Sequence, residues 1–120
     1  MNWAREAIKY IERLGWAQYS FRTDEGVCLL GACALALTYG EEADFDYLYY
    51  DSSEYVVDLT ALVECRRMLE DCIEERGYYF TSSEMTNPAA WNDSSGRTEE
   101  EVVEVLKCAA RKIDRIQKSS

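Results

Sequence analysis

The chain has no histidine among its 120 residues. That excludes Ser-His-Asp and Cys-His catalysis, HExxH metal sites and every zinc site that uses an imidazole. A general base would have to be a carboxylate, lysine, tyrosine or cysteine, and no residue stands out as a catalyst, so the expectation is a protein that is not an enzyme. Membrane-length apolar runs are absent too. The central apolar stretch, Val27 to Tyr39, is 13 residues long, whereas a span needs about 20. Nor does the N-terminus carry the charged-then-apolar pattern of a signal peptide. A cytoplasmic protein with no membrane association follows as the expectation. Basic residues are missing from the middle third. Between Thr23 and Cys65 stand Asp24, Glu25, Glu41, Glu42, Asp44, Asp46, Asp51, Glu54, Asp58 and Glu64, with no lysine or arginine. The rest of the chain carries 13 acidic and 13 basic residues, so the net charge of −10 arises in that third. Direct nucleic-acid binding through a basic patch is therefore not expected.

What is present suits a compact all-α domain over residues 1–120. Hydrophobic content is 48%, enough for a core at this size. Val27–Tyr39 is rich in alanine and leucine and is followed by Gly40, which predicts a buried helix with other helices packed around it. Trp3–Leu14 is amphipathic, with Trp3, Ala7, Ile8, Ile11 and Leu14 on one face. Asn2 suits its N-cap and Gly15 its stop, and Trp16 is placed to fold back on the helix end. Ala17–Gly26 reads as a polar link, extended around Tyr19–Phe21. A third helix is expected from Leu59 to Arg76 behind Asp58, with Leu59, Leu62, Val63, Leu69, Cys72 and Ile73 inward. Asp44–Tyr50 has the composition of a short helix, and Tyr78–Ser83 is the one short β-prone segment. Glu84–Gly96, with the only proline, reads as a loop. Thr98 and Glu101 form a capping box for a last helix to Gln117, with the stripe Val102, Leu106, Ala109, Ile113 and Ile116. That makes about four main helices.

Two segments carry a resemblance. One is Ala4-Arg5-Glu6-Ala7-Ile8, Leu14-Gly15-Trp16 and Gly26-Val27-Cys28-Leu29-Leu30-Gly31-Ala32. The other is Trp91-Asn92-Asp93-Ser94-Ser95-Gly96-Arg97-Thr98-Glu99-Glu100-Glu101-Val102. Together they resemble a small family of actinobacterial and phage proteins known only as a domain of unknown function. The resemblance implies a fold and a phage or bacterial context, and no activity or cofactor.

Each candidate site also has a plain structural role. The five cysteines sit in apolar helical contexts, and neither the Cys28/Cys33 nor the Cys65/Cys72 spacing matches a zinc knuckle or a CxxC motif. Packing is the default for them, and neither a metal site nor a cofactor is expected. Cys28 differs in lying near a helix N-terminus, where a thiol's pKa can fall. Trp91, Asn92, Asp93, Arg97 and Thr98 would hold a small nucleotide-like anion at the helix N-terminus in an alternative reading, as binder or hydrolase. Their local reading is a turn with a core tryptophan, and an arginine exposed or paired with Asp93. The stretch that rises above its structural reading is Glu41, Glu42, Asp44, Asp46, Tyr47, Tyr49, Tyr50, Asp51, Glu54 and Tyr55. It lacks the spacing and glycine of a calcium loop. Tyrosines among carboxylates suit contact with a protein partner that presents a basic surface. Mimicry of nucleic acid is a second reading of the same surface, and a homodimer is also compatible with the sequence.

Overall fold

The structure is a computed structural model that describes residues 2–19, 22–37, 59–77 and 88–119. Five helices and one small hairpin appear among these: α1 (Trp3–Leu14), β1 (Arg22–Thr23), β2 (Gly26–Val27), α2 (Leu29–Leu37), α3 (Leu59–Glu75), α4 (Pro88–Asn92) and α5 (Glu99–Ser119). The domain is all-α in architecture. The expected segments Asp44–Tyr50 and Tyr78–Ser83 lie outside the described residues.

Helix α1 forms as its sequence dictates. The Asn2 side chain accepts from the Arg5 amide at 3.2 Å, satisfying one of the free amides of the first turn. Ala4, Ala7 and Ile11 are fully buried. At the far end the Gly15 amide donates to the Ile11 carbonyl at 2.8 Å.

Helix α2 starts two residues later than expected. Gly26 and Val27 pair antiparallel with Thr23 and Arg22. Val27 also bridges in parallel to Trp16: the Val27 amide donates to the Gly15 carbonyl and the Ala17 amide to the Val27 carbonyl, both at 3.0 Å. Val27 is apolar and buried like the helix behind it, so hydrophobicity alone cannot separate strand from helix here. An extended pair lies at Arg22–Thr23; of the expected segment Tyr19–Phe21, Ser20 and Phe21 lie outside the described residues. Tyr19 has φ of 71°, in the left-handed region that a strand does not use.

The four longer helices close a ring: α2 packs on α1 and α3, and α5 packs on the same two from the other side. Helix α4 fills the end of the ring against α2 and α3. One core joins Ile11, Leu29, Leu35, Leu69, Ile73, Val102 and Leu106. Among the described side chains, two expected inward residues face outward; those of Leu59 and Leu62 lie outside the description. Val63 is exposed because the α3 core face runs through Cys65, Leu69, Cys72 and Ile73, centred roughly 135° around the helix from it at about 100° per residue. Ile116 is exposed because α1 begins level with Ala110 and Asp114. The Asn2 side-chain amide donates to the Ala110 carbonyl at 3.0 Å and to Asp114 Oδ1 at 3.2 Å, leaving the last turns of α5 beyond the reach of α1.

The segment expected as a loop, Glu84–Gly96, contains α4. Pro88 occupies its first position, where the missing N–H costs nothing. The capping box of α5 is present: the Glu101 amide donates to Thr98 Oγ1 at 3.2 Å, and the Thr98 amide to Glu101 Oε1 at 3.0 Å.

Candidate functional site

Asn92 is the hub of the polar interior. It is fully buried and uses every hydrogen-bonding position of its amide. Oδ1 accepts from the Trp16 indole at 2.7 Å and from the Leu29 amide at 3.0 Å. Nδ2 donates to the Ala17 carbonyl at 3.1 Å and to Asp93 Oδ1 at 3.0 Å. The Leu29 amide is one of the free donors at the start of α2, so Asn92 caps that helix from 63 residues away. The Trp16 indole N–H thus points to α4, while its ring packs on the core that α1 shares. Asp93 Oδ1 also accepts from the Tyr19 amide at 2.8 Å. Gln18 Nε2 donates to the carbonyls of Asn92 and Ser94, both at 3.0 Å.

A groove of about 530 Å³ opens beside this hub, lined by Trp16, Ala17, Gln18, Thr23, Asp24 and Glu25. Its charged lining residues are two carboxylates. That charge favours an amine or a guanidinium over an anion.

The residues considered for an anion stand behind that groove and do not line it. Trp91 is buried. Arg97 stacks with its guanidinium carbon 4.1 Å from the Trp91 ring centroid. Its Nε donates to the Trp91 carbonyl at 2.9 Å and a terminal nitrogen donates to Glu101 Oε2 at 3.0 Å. Arg97 is thus paired with Glu101, not with Asp93, and its side chain is only 10% exposed. One oxygen of Glu101 closes the capping box while the other holds Arg97. Glu99, Glu100 and Glu101 all lie in the first turn of α5, so an incoming phosphate would meet three carboxylates at that terminus.

Glu41, Glu42, Asp44, Asp46, Tyr47, Tyr49, Tyr50, Asp51, Glu54 and Tyr55 lie outside the described residues. Of the acidic middle third, Asp24, Glu25 and Glu64 are described, and all three are exposed.

The five cysteines are free thiols, with only Cys108 partly exposed. Four of them associate in two pairs, each across two helices. Cys33 of α2 meets Cys65 of α3, and the neighbouring thiol together with burial pushes Cys33 well above the usual thiol range. Cys72 of α3 meets Cys108 of α5, and Cys72 is raised by burial first and by Cys108 second. Cys28 corrects the expectation of a lowered pKa. Amide donors around it, including that of Gly31 at 3.3 Å, do pull downward, but burial outweighs them and its thiol is pushed up to about 11. A thiol held in its neutral form is a poor nucleophile. Glu75 and Lys112 lie beside the Cys72–Cys108 pair. Lys112 Nζ donates to Glu75 Oε1 at 2.8 Å, which lowers the Glu75 carboxyl pKa. Cys108 and Glu75 were not singled out from sequence. The only sequence signal was same-face spacing: Cys72 with Glu75 at i, i+3 and Cys108 with Lys112 at i, i+4.

No helix among the described residues is long and apolar enough to cross a membrane. The model of a family of unknown function, DUF6197, matches residues 3–112. No curated protein and no solved structure gives a match.

Proposed function

We propose that this chain, which belongs to the DUF6197 family of unknown function, is a non-enzymatic interaction protein that binds a basic surface of a partner protein through its acidic, tyrosine-rich middle third. The observation that carries the reading is the partition of charge: ten carboxylates and no cation between Thr23 and Cys65, against a balance of 13 and 13 elsewhere. A stretch of one sign raises encounter rates with the opposite sign and rejects like-charged surfaces, while interleaved tyrosines add contact area at low entropic cost. The exposed Asp24 and Glu25 on the groove extend the acidic tract onto the folded core. Resemblance to actinobacterial and phage proteins makes a cytoplasmic host nuclease or defence component the suitable kind of target, with this chain phage- or mobile-element-encoded and inhibitory.

The test is affinity capture from bacterial lysate at low and high salt, run beside the triple variant Asp44→Lys, Asp46→Lys, Asp51→Lys. The expected result is one basic protein retained at low salt, released at high salt, and bound at least about tenfold more weakly by the variant, since each reversed pair turns roughly 0.2–1 kcal/mol of attraction into repulsion. Capture that is indifferent to the three reversals would overturn the reading.

A further inference from the structure

We infer that Cys72, Glu75 and Cys108 form a binding site for a thiophilic divalent cation, with Zn²⁺ the fitting ion, at the seam between α3 and α5. The donor atoms of the three side chains all lie within 4.8 Å of one another. Cys108 Sγ stands 3.2 Å from Glu75 Oε2. A tetrahedral Zn²⁺ with bonds of about 2.3 Å to sulfur and 2.1 Å to oxygen places its ligands about 3.6–3.8 Å apart. Side-chain rotation alone therefore brings the three donors to bonding distance without moving a helix. Two sulfurs and one oxygen are a donor set for a borderline-soft ion and not for Mg²⁺ or Ca²⁺. Three protein ligands leave the fourth position to solvent, and Cys108 is only half-buried, so an ion has access from that side.

Two further features fit a cation there. Glu75 is the last residue of α3, where the carbonyl end of the helix dipole favours positive charge. The Lys112 ammonium is already held at this place, on Glu75 Oε1, while Oε2 faces Cys108. The two oxygens thus have separate tasks: Oε2 takes the metal and Oε1 stays with Lys112. Binding displaces a proton from each thiol. Two thiolates, a carboxylate and a dication then sum to −1, which the Lys112 ammonium neutralises from the second sphere.

The experiment is titration of the reduced full-length chain with Co²⁺, read by the thiolate-to-cobalt charge-transfer absorption, followed by competition with Zn²⁺. One equivalent of Co²⁺ should produce the band and Zn²⁺ should abolish it. Cys108→Ser and Glu75→Gln, both at partly exposed positions where folding is least at risk, should weaken binding by more than the roughly 10- to 100-fold typical of losing an outer-sphere partner. Lys112→Met should cost about that 10- to 100-fold while leaving the band in place. Cys33→Ser and Cys65→Ser, in the other thiol pair, should leave binding unchanged. Absence of a band in the wild-type chain, a band indifferent to both Cys108→Ser and Glu75→Gln, or a band lost in Cys65→Ser would each overturn the assignment.

Discussion

Replacing Asn92 by alanine leaves the Trp16 indole, the Leu29 amide and the Ala17 carbonyl without the partner they now share. A buried polar group so orphaned costs about 1–3 kcal/mol. Some of these groups will find water once the side chain is gone, so the expected loss is about 2–4 kcal/mol, a large fraction of a stability of roughly 5–15 kcal/mol. Urea unfolding should show it as a lowered midpoint with an unchanged slope. Asn92→Asp is the sharper variant. It keeps the acceptor for Trp16 and Leu29 but aims an acceptor at the Ala17 carbonyl and at the Asp93 carboxylate. The new carboxyl's pKa should therefore be raised in the folded state, so this variant should regain stability as pH falls and the group protonates. A loss under 1 kcal/mol in Asn92→Ala would refute the hub. Little of this role was legible in sequence. Asn92 and Asp93 look like turn residues because their side chains commonly bond nearby backbone, whereas, Asp93 apart, the groups that Asn92 binds lie 63 to 76 residues away.

Between elements, a close backbone approach lies where the end of α1 meets β2. A Cβ built on Gly26 would stand 2.3 Å from the Gly15 carbonyl carbon and 2.6 Å from the Trp16 nitrogen, and one on Gly15 would stand 2.4 Å from the Glu25 carbonyl oxygen. These neighbours are backbone, which cannot rotate aside. Gly26→Ala must therefore part the strand from the helix end and break the two 3.0 Å bonds that tie Val27 to Gly15 and Ala17. At Gly96, with φ of +83° and nothing within 4 Å, alanine meets only backbone strain of roughly 1–2 kcal/mol. Thermal unfolding should accordingly show a shift for Gly26→Ala at least about twice that for Gly96→Ala, and equal shifts would show that the joint yields. The helices α1, α3 and α5 were legible because periodicity, Asn2, Gly15 and the Thr98–Glu101 box are local signals. The hairpin was not, since two-residue strands carry no alternation. Neither was α4, a five-residue helix too short to form without the neighbours it packs on. Its composition of Pro88 beside Asn87 and the following turn residues reads as loop for the same reason. The thiol pairs were hidden because each joins two helices that only the fold brings together.

At the scale of the molecule, the charge of −10 sets two salt dependences of opposite sign. Carboxylates gathered in one third of the chain repel one another in the folded state, and screening relieves that repulsion. Exposed ion pairs work the other way. Arg5–Asp114, Lys9–Glu6 and Arg66–Glu70 bridge helix surfaces and weaken as salt rises, but such pairs are worth only about 0–1 kcal/mol each. Unbalanced charge outweighs balanced pairs at this ratio, so the melting temperature should rise as ionic strength goes from roughly 0.01 M to 0.15 M, where the screening length falls from about 30 to 8 Å. Over that same interval, capture of a basic partner should weaken, because the carboxylates that repel one another are the ones that attract it. The combination discriminates between causes. If binding rested on the apolar faces of the tyrosines alone, salt would leave capture unchanged while still raising the melting temperature. If the carboxylates were already neutralised within the fold, neither quantity would move. The charge-reversed variant closes the argument: Asp44→Lys, Asp46→Lys and Asp51→Lys take the net charge from −10 to −4, since each substitution adds two, so its melting temperature should depend less on salt than that of the parent chain at the same time as its capture fails.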